Sequence, residues 1–321
     1  MPERDLAERL ERAIELALTG ELPDVDGDPE LEGLAGIASE LRDLPAERFK
    51  KGLKADLLRR GTMTTSTSTA VGFRTITPFL IHADAPKLVD FLKSTFGAEE
   101  LKRSTSAEAY GFHSEVRIGD TVITIGGGTA AEWGNLPSAL HVYVGDCDAA
   151  YQRAVNAGAV TLMGEKGEPA DRPYGERSAF VRDTFGNIWY IATRLGPGAG
   201  PEGSGSVLPY LHPENAREYI DFLKRAFGAE EIGVFEAAGR VMHAALRLGD
   251  AVLELGEPED RTGLPANGLF LFVDDVDAAY RRALAAGATA IRPPDDQPYG
   301  MRSAIVKDPG GYLWWPARWI G

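Results

Sequence analysis

The sequence predicts an α+β protein of four tandem βαβββ modules behind an N-terminal α-helical extension. Three observations predict it. TPFLIHADAPKLVDFLKSTFGAEE at 77–100 returns as LPYLHPENAREYIDFLKRAFGAEE at 208–231, displaced by 131 residues without a gap. The duplication continues: AYGFHSEVRIGD answers to GRVMHAALRLGD, VGDCDAAYQRAVNAGA to VDDVDAAYRRALAAGA, and PYGERSAFVRDTFGNIWY to PYGMRSAIVKDPGGYLWW. Within each copy, the order strand, helix and three short strands occurs twice.

Taken in order, the chain begins with helical patterns. Leu6, Leu10, Ile14 and Leu18 recur at four-residue spacing among charged residues, then Leu31, Leu34, Ile37 and Leu41, then Phe49, Leu53 and Leu57 after Pro45. Such one-sided helices pack on their own protein or a dimer mate, or dock a protein partner. Residues 1–61 form this extension, and the Ser/Thr-rich 62–72 a linker. The repeats occupy 73–196 and 206–321, joined by a second linker at 197–205. In repeat one, TITPFLI alternates as a strand. Leu88, Phe91, Leu92 and Phe96 then carry a helix that Gly97 stops. Gly119-Asp120 turns the chain between two strands. A second strand–helix unit follows, ended by Gly158, and a hairpin turning at Asp183–Gly186 closes the copy.

Composition narrows the function. With a net charge of −14, the chain is unsuited to nucleic acid or an anionic membrane. No apolar run is long enough to span a bilayer, and MPERDLAERL is too charged for a signal peptide. The single cysteine, Cys147, makes no internal disulfide, so a cytoplasmic location is expected.

The early helix ending in FGAEE, the GD hairpin, the VxDxDAAYxRAxxAGA helix and the DxxGNxW hairpin together resemble the glyoxalase/bleomycin-resistance group of the vicinal oxygen chelate superfamily. The resemblance covers both repeats and leaves out the extension. It implies two cup-shaped mixed-sheet units, each repeat curling its own two modules into an open cup. That superfamily spans isomerases, dioxygenases, thiol transferases and non-catalytic drug-binding proteins, so the resemblance fixes no activity.

Catalytic members hold a divalent metal through His, Gln or Glu on the first, fourth, fifth and eighth strands. Here those positions fall at Thr77, Thr124, Ala139 and Tyr190 in repeat one, and at Leu208, Glu254, Gly268 and Trp315 in repeat two. Of the eight, Glu254 alone is a ligand type. The expectation is therefore no cofactor, with a divalent ion on His212 and Glu254 as the alternative. Side chains alternate along strands, so Phe79, His141, Tyr143 and Tyr190 face inward in repeat one, and Tyr210, His212, Phe270, Phe272 and Trp315 in repeat two. Aromatic rings with a few polar tips suit a small organic ligand, and repeat two, centred on Trp315, is expected to be the tighter site. The loops Tyr174-Gly-x-Arg177 and Tyr299-Gly-x-Arg302 offer an arginine either to a ligand carboxylate or phosphate or to Asp183 and Asp308. His113 and His243 recur at matched positions and read as structural. Three functions stay open: a small-molecule-binding protein, an enzyme using a non-standard metal set or metal-free Tyr and His chemistry, and a ligand-sensing module reporting through the N-terminal helices.

Overall fold

The computed structural model describes residues 72–106, 111–127, 134–196, 200–201, 203–259 and 262–320. The helical patterns of 1–61 and the linker up to residue 71 lie outside the described residues. Each predicted module is present. The first is β1 (Ile76–Ile81), α1 (Ala85–Phe96), β2 (Glu99–Ser106), β3 (Gly111–Ile118) and β4 (Thr121–Gly127). The second runs β5 (Ala139–Tyr143), α2 (Cys147–Asn156), β6 (Val160–Thr161), β7 (Ala170–Arg172), β8 (Glu176–Arg182) and β9 (Ile188–Arg194). Repeat two gives β10 (Val207–Leu211), α3 (Ala216–Phe227), β11 (Glu230–Ala237), β12 (Arg240–Leu248) and β13 (Ala251–Leu255) as the third module. The fourth is β14 (Gly268–Phe272), α4 (Val276–Ala286), β15 (Thr289–Gln297), β16 (Met301–Lys307) and β17 (Leu313–Trp319).

Local chemistry sets the helix ends. Asp146, Asn215 and Asp275 each accept a hydrogen bond at the start of α2, α3 and α4 from the backbone N–H three residues on. α1 and α3 stop where Gly97 and Gly228 adopt left-handed φ of 68° and 73°, which returns their N–H groups to the last turn. The helices then bury one stripe each: Leu88, Val89, Phe91 and Leu92 on α1, and Tyr219, Ile220, Phe222 and Leu223 on α3.

Those stripes join the two modules of one repeat. One core holds α1 and α2 with the strands of repeat one, and a second holds α3 and α4 with the strands of repeat two. The sheets follow a different rule. One has the order β15-β16-β17-β14-β1-β4-β3-β2 and joins module four to module one. The other, β11-β12-β13-β10-β5-β9-β8-β6 with β7 on β8, joins module three to module two. Both joints are antiparallel, with Thr77 opposite Phe270 and Leu208 opposite His141. The expectation that each repeat curls into its own cup is thus corrected. A repeat owns its helix-side core, while each cup is built from both repeats. The physical reason is that the first strand of every module has a free edge, and the matching edge offered to it belongs to the other copy.

A reciprocal clasp fixes the arrangement. Asp250 Oδ1 accepts from Thr75 N and Oγ1, both at 2.7 Å, while Asp120 Oδ1 accepts from Ser206 N at 2.7 Å. Arg74 spans both turns, donating to Asp250 O at 2.9 Å and Asp120 Oδ2 at 2.7 Å. Gly119 and Gly249 precede these aspartates with positive φ, and a Cβ on either would meet Ser206 Oγ or Thr75 Oγ1 at about 2 Å. The GD pair of each copy is therefore both a hairpin turn and a clamp on the other copy.

Candidate functional site

The faces away from the helices differ sharply between the two sheets. On the sheet of modules one and four, Phe79, Ile81, Phe270, Phe272, Met301 and Trp315 pack into one apolar cluster. Phe79 meets Phe270 at 5.0 Å and Trp315 at 5.3 Å between ring centroids, and Phe270 stacks on Phe272 at 5.9 Å. Trp315 retains 4% of its surface. These rings fill their cup with one another.

The sheet of modules two and three carries polar groups at the corresponding places. His141 on β5 is buried with Nδ1 2.7 Å from Glu254 Oε2 on β13, and its Nε2 lies 3.5 Å from Glu176 Oε2 on β8. Glu176 Oε1 accepts the Tyr143 hydroxyl at 2.7 Å. Tyr143 stacks on His141 at 4.4 Å, and the Arg194 guanidinium lies over the Tyr143 ring at 4.1 Å. His243 Nε2 on β12 lies 3.4 Å from Glu254 Oε1. Tyr190 and Tyr210 meet at 4.7 Å between centroids, and the Tyr190 hydroxyl pairs with His212 Nε2 at 2.7 Å. Tyr210 leans on His212 at 5.0 Å, and among the described residues no hydrogen bond engages its hydroxyl.

The charges in this cup oppose burial. Burial alone would push the His141 imidazolium toward losing its proton, but Glu254 and then Glu176 outweigh it and hold the ring's pKa above its ordinary value. Burial likewise disfavours an ionised Glu254, which has 1% of its surface exposed, yet His141 and His243 keep it ionised down to about pH 2. Tyr143, Tyr190 and Tyr210 are pushed upward mainly by burial, so all three remain neutral hydrogen-bond groups. The result is an ion pair beside a second carboxylate, ringed by phenols.

The inward residues read from the sequence are therefore regrouped. His141, Tyr143, Tyr190, Tyr210, His212 and Glu254 come together across the repeats, and Phe79, Phe270, Phe272 and Trp315 gather in the other cup. Repeat two as a single site does not exist, because its two modules face different cups. The pairing of His212 with Glu254 is corrected too: His141 and His243 meet Glu254, and His212 meets Tyr190. Arg177 is ion-paired with Asp148 and with Asp171, and Arg302 with Asp277 and Asp296, in place of Asp183 and Asp308. Those two aspartates instead accept from the indoles of Trp189 and Trp314 inside their own turns. Tyr174 and Tyr299 stand exposed beside these loops.

Glu176 and Arg194 escaped the sequence reading, and His243, read there as structural, stands beside Glu254 in the polar cup. A signal for Glu176 was present: PYGERS and PYGMRS differ at one central position, where one copy holds a carboxylate and the other Met301.

Residues 212–315 match the model of the Glyoxalase/Bleomycin resistance protein/Dioxygenase superfamily. The chain is 37% identical over 122 residues to the uncharacterized protein Mb0911c of Mycobacterium bovis, spanning 34% of this chain and 80% of that protein. The chain belongs to this superfamily. The putative glyoxylase CFP32 of the same organism is 26% identical over 178 residues, covering 54% of this chain and 66% of that one. Glyoxalase I from Zea mays superposes with a TM-score of 0.57 at 14% identity, over 76% of this chain and 92% of the maize chain, a likeness of fold.

In this superfamily chain the four central strands of the polar cup present His141, Tyr190, Tyr210 and Glu254, with His141 opposite Tyr190 and Tyr210 opposite Glu254 in the ladders. Two are metal-ligand types and two are phenols kept protonated by burial. Among the described residues, no three His, Cys, Asp or Glu side chains are placed to share one ion.

Proposed function

We propose that the protein binds a small organic molecule in the cup shared by modules two and three. One observation carries this reading. Seven polar residues at the centre of that cup have counterparts in the filled cup that are less polar or apolar, while on the outer arm His243 keeps a histidine, His113: His141 answers to Phe270, Tyr143 to Phe272, Glu176 to Met301, Tyr190 to Trp315, Tyr210 to Phe79, His212 to Ile81 and Glu254 to Thr124. The filled cup demonstrates that the same scaffold closes with apolar packing. Burying an ion pair and a further carboxylate in its twin is costly unless those groups serve something else. Tyr190 and Tyr210 supply ring faces, and the Tyr210 hydroxyl supplies a hydrogen bond.

A second reading follows from His141. An imidazolium held between two carboxylates is a proton-transfer group, which supports acid–base chemistry on the bound molecule without a metal. The single cysteine, Cys147, is buried and burial pushes its thiol up to about 12, so it serves packing and takes no part in this chemistry.

The test is a thermal-shift screen of small aromatic and heteroaromatic compounds on the full chain, followed by calorimetry of the hits. Tyr210→Phe is expected to weaken binding by about 1 kcal/mol, one hydrogen bond. Phe270→Leu in the filled cup is expected to leave affinity unchanged. Hits that respond to Phe270→Leu and ignore Tyr210→Phe would place the site in the wrong cup.

A further inference from the structure

Two large apolar rings on this sheet remain unused by packing. Phe235 on β11 is 63% exposed, and Tyr174, in the turn before β8, is 60% exposed. β11 is one edge of the sheet and β8 lies close to the other. Both rings belong to the cup side. Phe235 stands opposite His243 in the β11–β12 ladder, and paired residues project to the same face. His243 itself reaches Glu254 and lies 6.1 Å from the Tyr210 ring, so that face is the interior of the cup. At the other arm, Glu176, Ser178 and Phe180 alternate onto one face of β8. Glu176 touches Tyr143, Phe180 meets the Tyr190 ring at 5.4 Å, and Tyr174 lays its hydroxyl 3.4 Å from Ser178 Oγ.

We propose that Phe235 and Tyr174 form an aromatic mouth on opposite arms of the polar cup, selecting an extended planar ligand of fused rings that also accepts a hydrogen bond from Tyr210. This rests on the reading of the polar cup as a binding site. A single-ring molecule on Tyr190 and Tyr210 occupies the floor and leaves the mouth rings in water. A longer fused system reaches them and adds stacking area at both ends. Gly256 lies beside the Tyr210 hydroxyl: a Cβ there would sit 2.6 Å from Met242 O and 2.9 Å from that hydroxyl, so a larger residue would displace it. Ile305, Met301 and Trp315 close the other cup, which therefore offers no comparable floor.

The experiment compares pyridine, quinoline and acridine, which carry the same ring-nitrogen acceptor on one, two and three fused rings. All three are titrated into the full chain at a pH where they are neutral, by calorimetry and, for pyridine, by ligand-observed NMR. Affinity is expected to rise with ring number. The double variant Phe235→Leu/Tyr174→Leu is expected to bind acridine roughly tenfold more weakly, the loss of two aromatic contacts, and pyridine as the wild type does. Tyr210→Phe is expected to weaken all three by a similar factor. Circular dichroism melts of each variant confirm that it folds. If the double variant binds acridine as tightly as the wild type, the mouth is overturned and the binding reading stands. If the wild type binds none of the three, the mouth and the binding reading fall together.

Discussion

His141 is where the energetics of the polar cup concentrate. Its raised pKa means that the stabilisation it contributes is complete below the ordinary imidazole value of about 6.5. That contribution is lost as the pH rises through the higher folded value. For Glu254 the sign reverses: its contribution is present above the ordinary carboxylate value of about 4.3 and is lost only as the pH falls toward 2. The pair is therefore fully stabilising in mildly acidic solution. Ring-proton NMR should show His141 titrating above 6.5, and Glu254→Gln should bring that titration down and flatten the alkaline limb of the stability profile. A His141 titration unmoved by Glu254→Gln would mean that the two side chains do not interact as described. At the same scale, Trp315→Ala is expected to cost about 3–5 kcal/mol in denaturant unfolding, because the ring fills a core instead of facing solvent. Much of both cups was legible in the sequence, since strand alternation counted from the positions that the family resemblance supplied selected His141, Tyr143, Tyr190 and Tyr210, though not Glu176 or Arg194. Their partnerships were not. His141 and Glu254 lie 113 residues apart in different copies, and no local pattern says which strand edges will meet.

At the scale of the element, each repeat closes on a hairpin turn whose aspartate organises the strand that follows. Asp308 Oδ2 accepts from the Tyr219 hydroxyl at 2.6 Å and from Trp314 Nε1 at 2.7 Å, and Oδ1 from Tyr312 N at 2.9 Å. Asp183 does the same for Trp189, Asn187 and Phe185. Burial raises Asp308 to about 6 even against these donors, so the ionised form is held at a cost and the fold gains as the pH falls through that value. Asp308→Ala strips three buried donors at once. The expected loss is about 3 kcal/mol or more by chemical denaturation. A loss below about 1 kcal/mol would show that water replaces the carboxylate, and that the turn is set by Gly311 alone. The helices, the GD and Asp–Gly turns and the succession of strands along the chain were readable because each depends on residues within a few positions of one another, whereas the pairing of strands across the repeats was not. The partners of these aspartates were misread, since a nearby arginine looks like the natural counter-charge and a buried indole does not.

At the scale of the whole molecule, the two repeats share every sheet while keeping separate helical cores. Separated halves should therefore fail as independent folds. A 72–196 fragment is expected to elute from size exclusion as a self-associated species or to lack a cooperative melt. Mixing it with a 203–321 fragment should restore a single transition. A monomeric, cooperatively folded half would overturn the shared-sheet architecture. The clasp of Asp120 on Ser206 and Asp250 on Thr75 then acts as the latch between copies, and losing both aspartates should weaken reassembly of the fragments more than it weakens the intact chain.

Sheets that cross the repeat boundary also govern what can change over time. A homodimer of one repeat would carry two cups related by symmetry, and every substitution would enter both. Fusing the copies removes that constraint. One cup can be sealed with aromatic packing and become ballast that holds the assembly together, while its twin retains the costly charges. The cost of keeping His141, Glu176 and Glu254 buried is then borne by rings inherited from the same ancestor, and chemical variation in the polar cup is insured by the cup that gave its chemistry up.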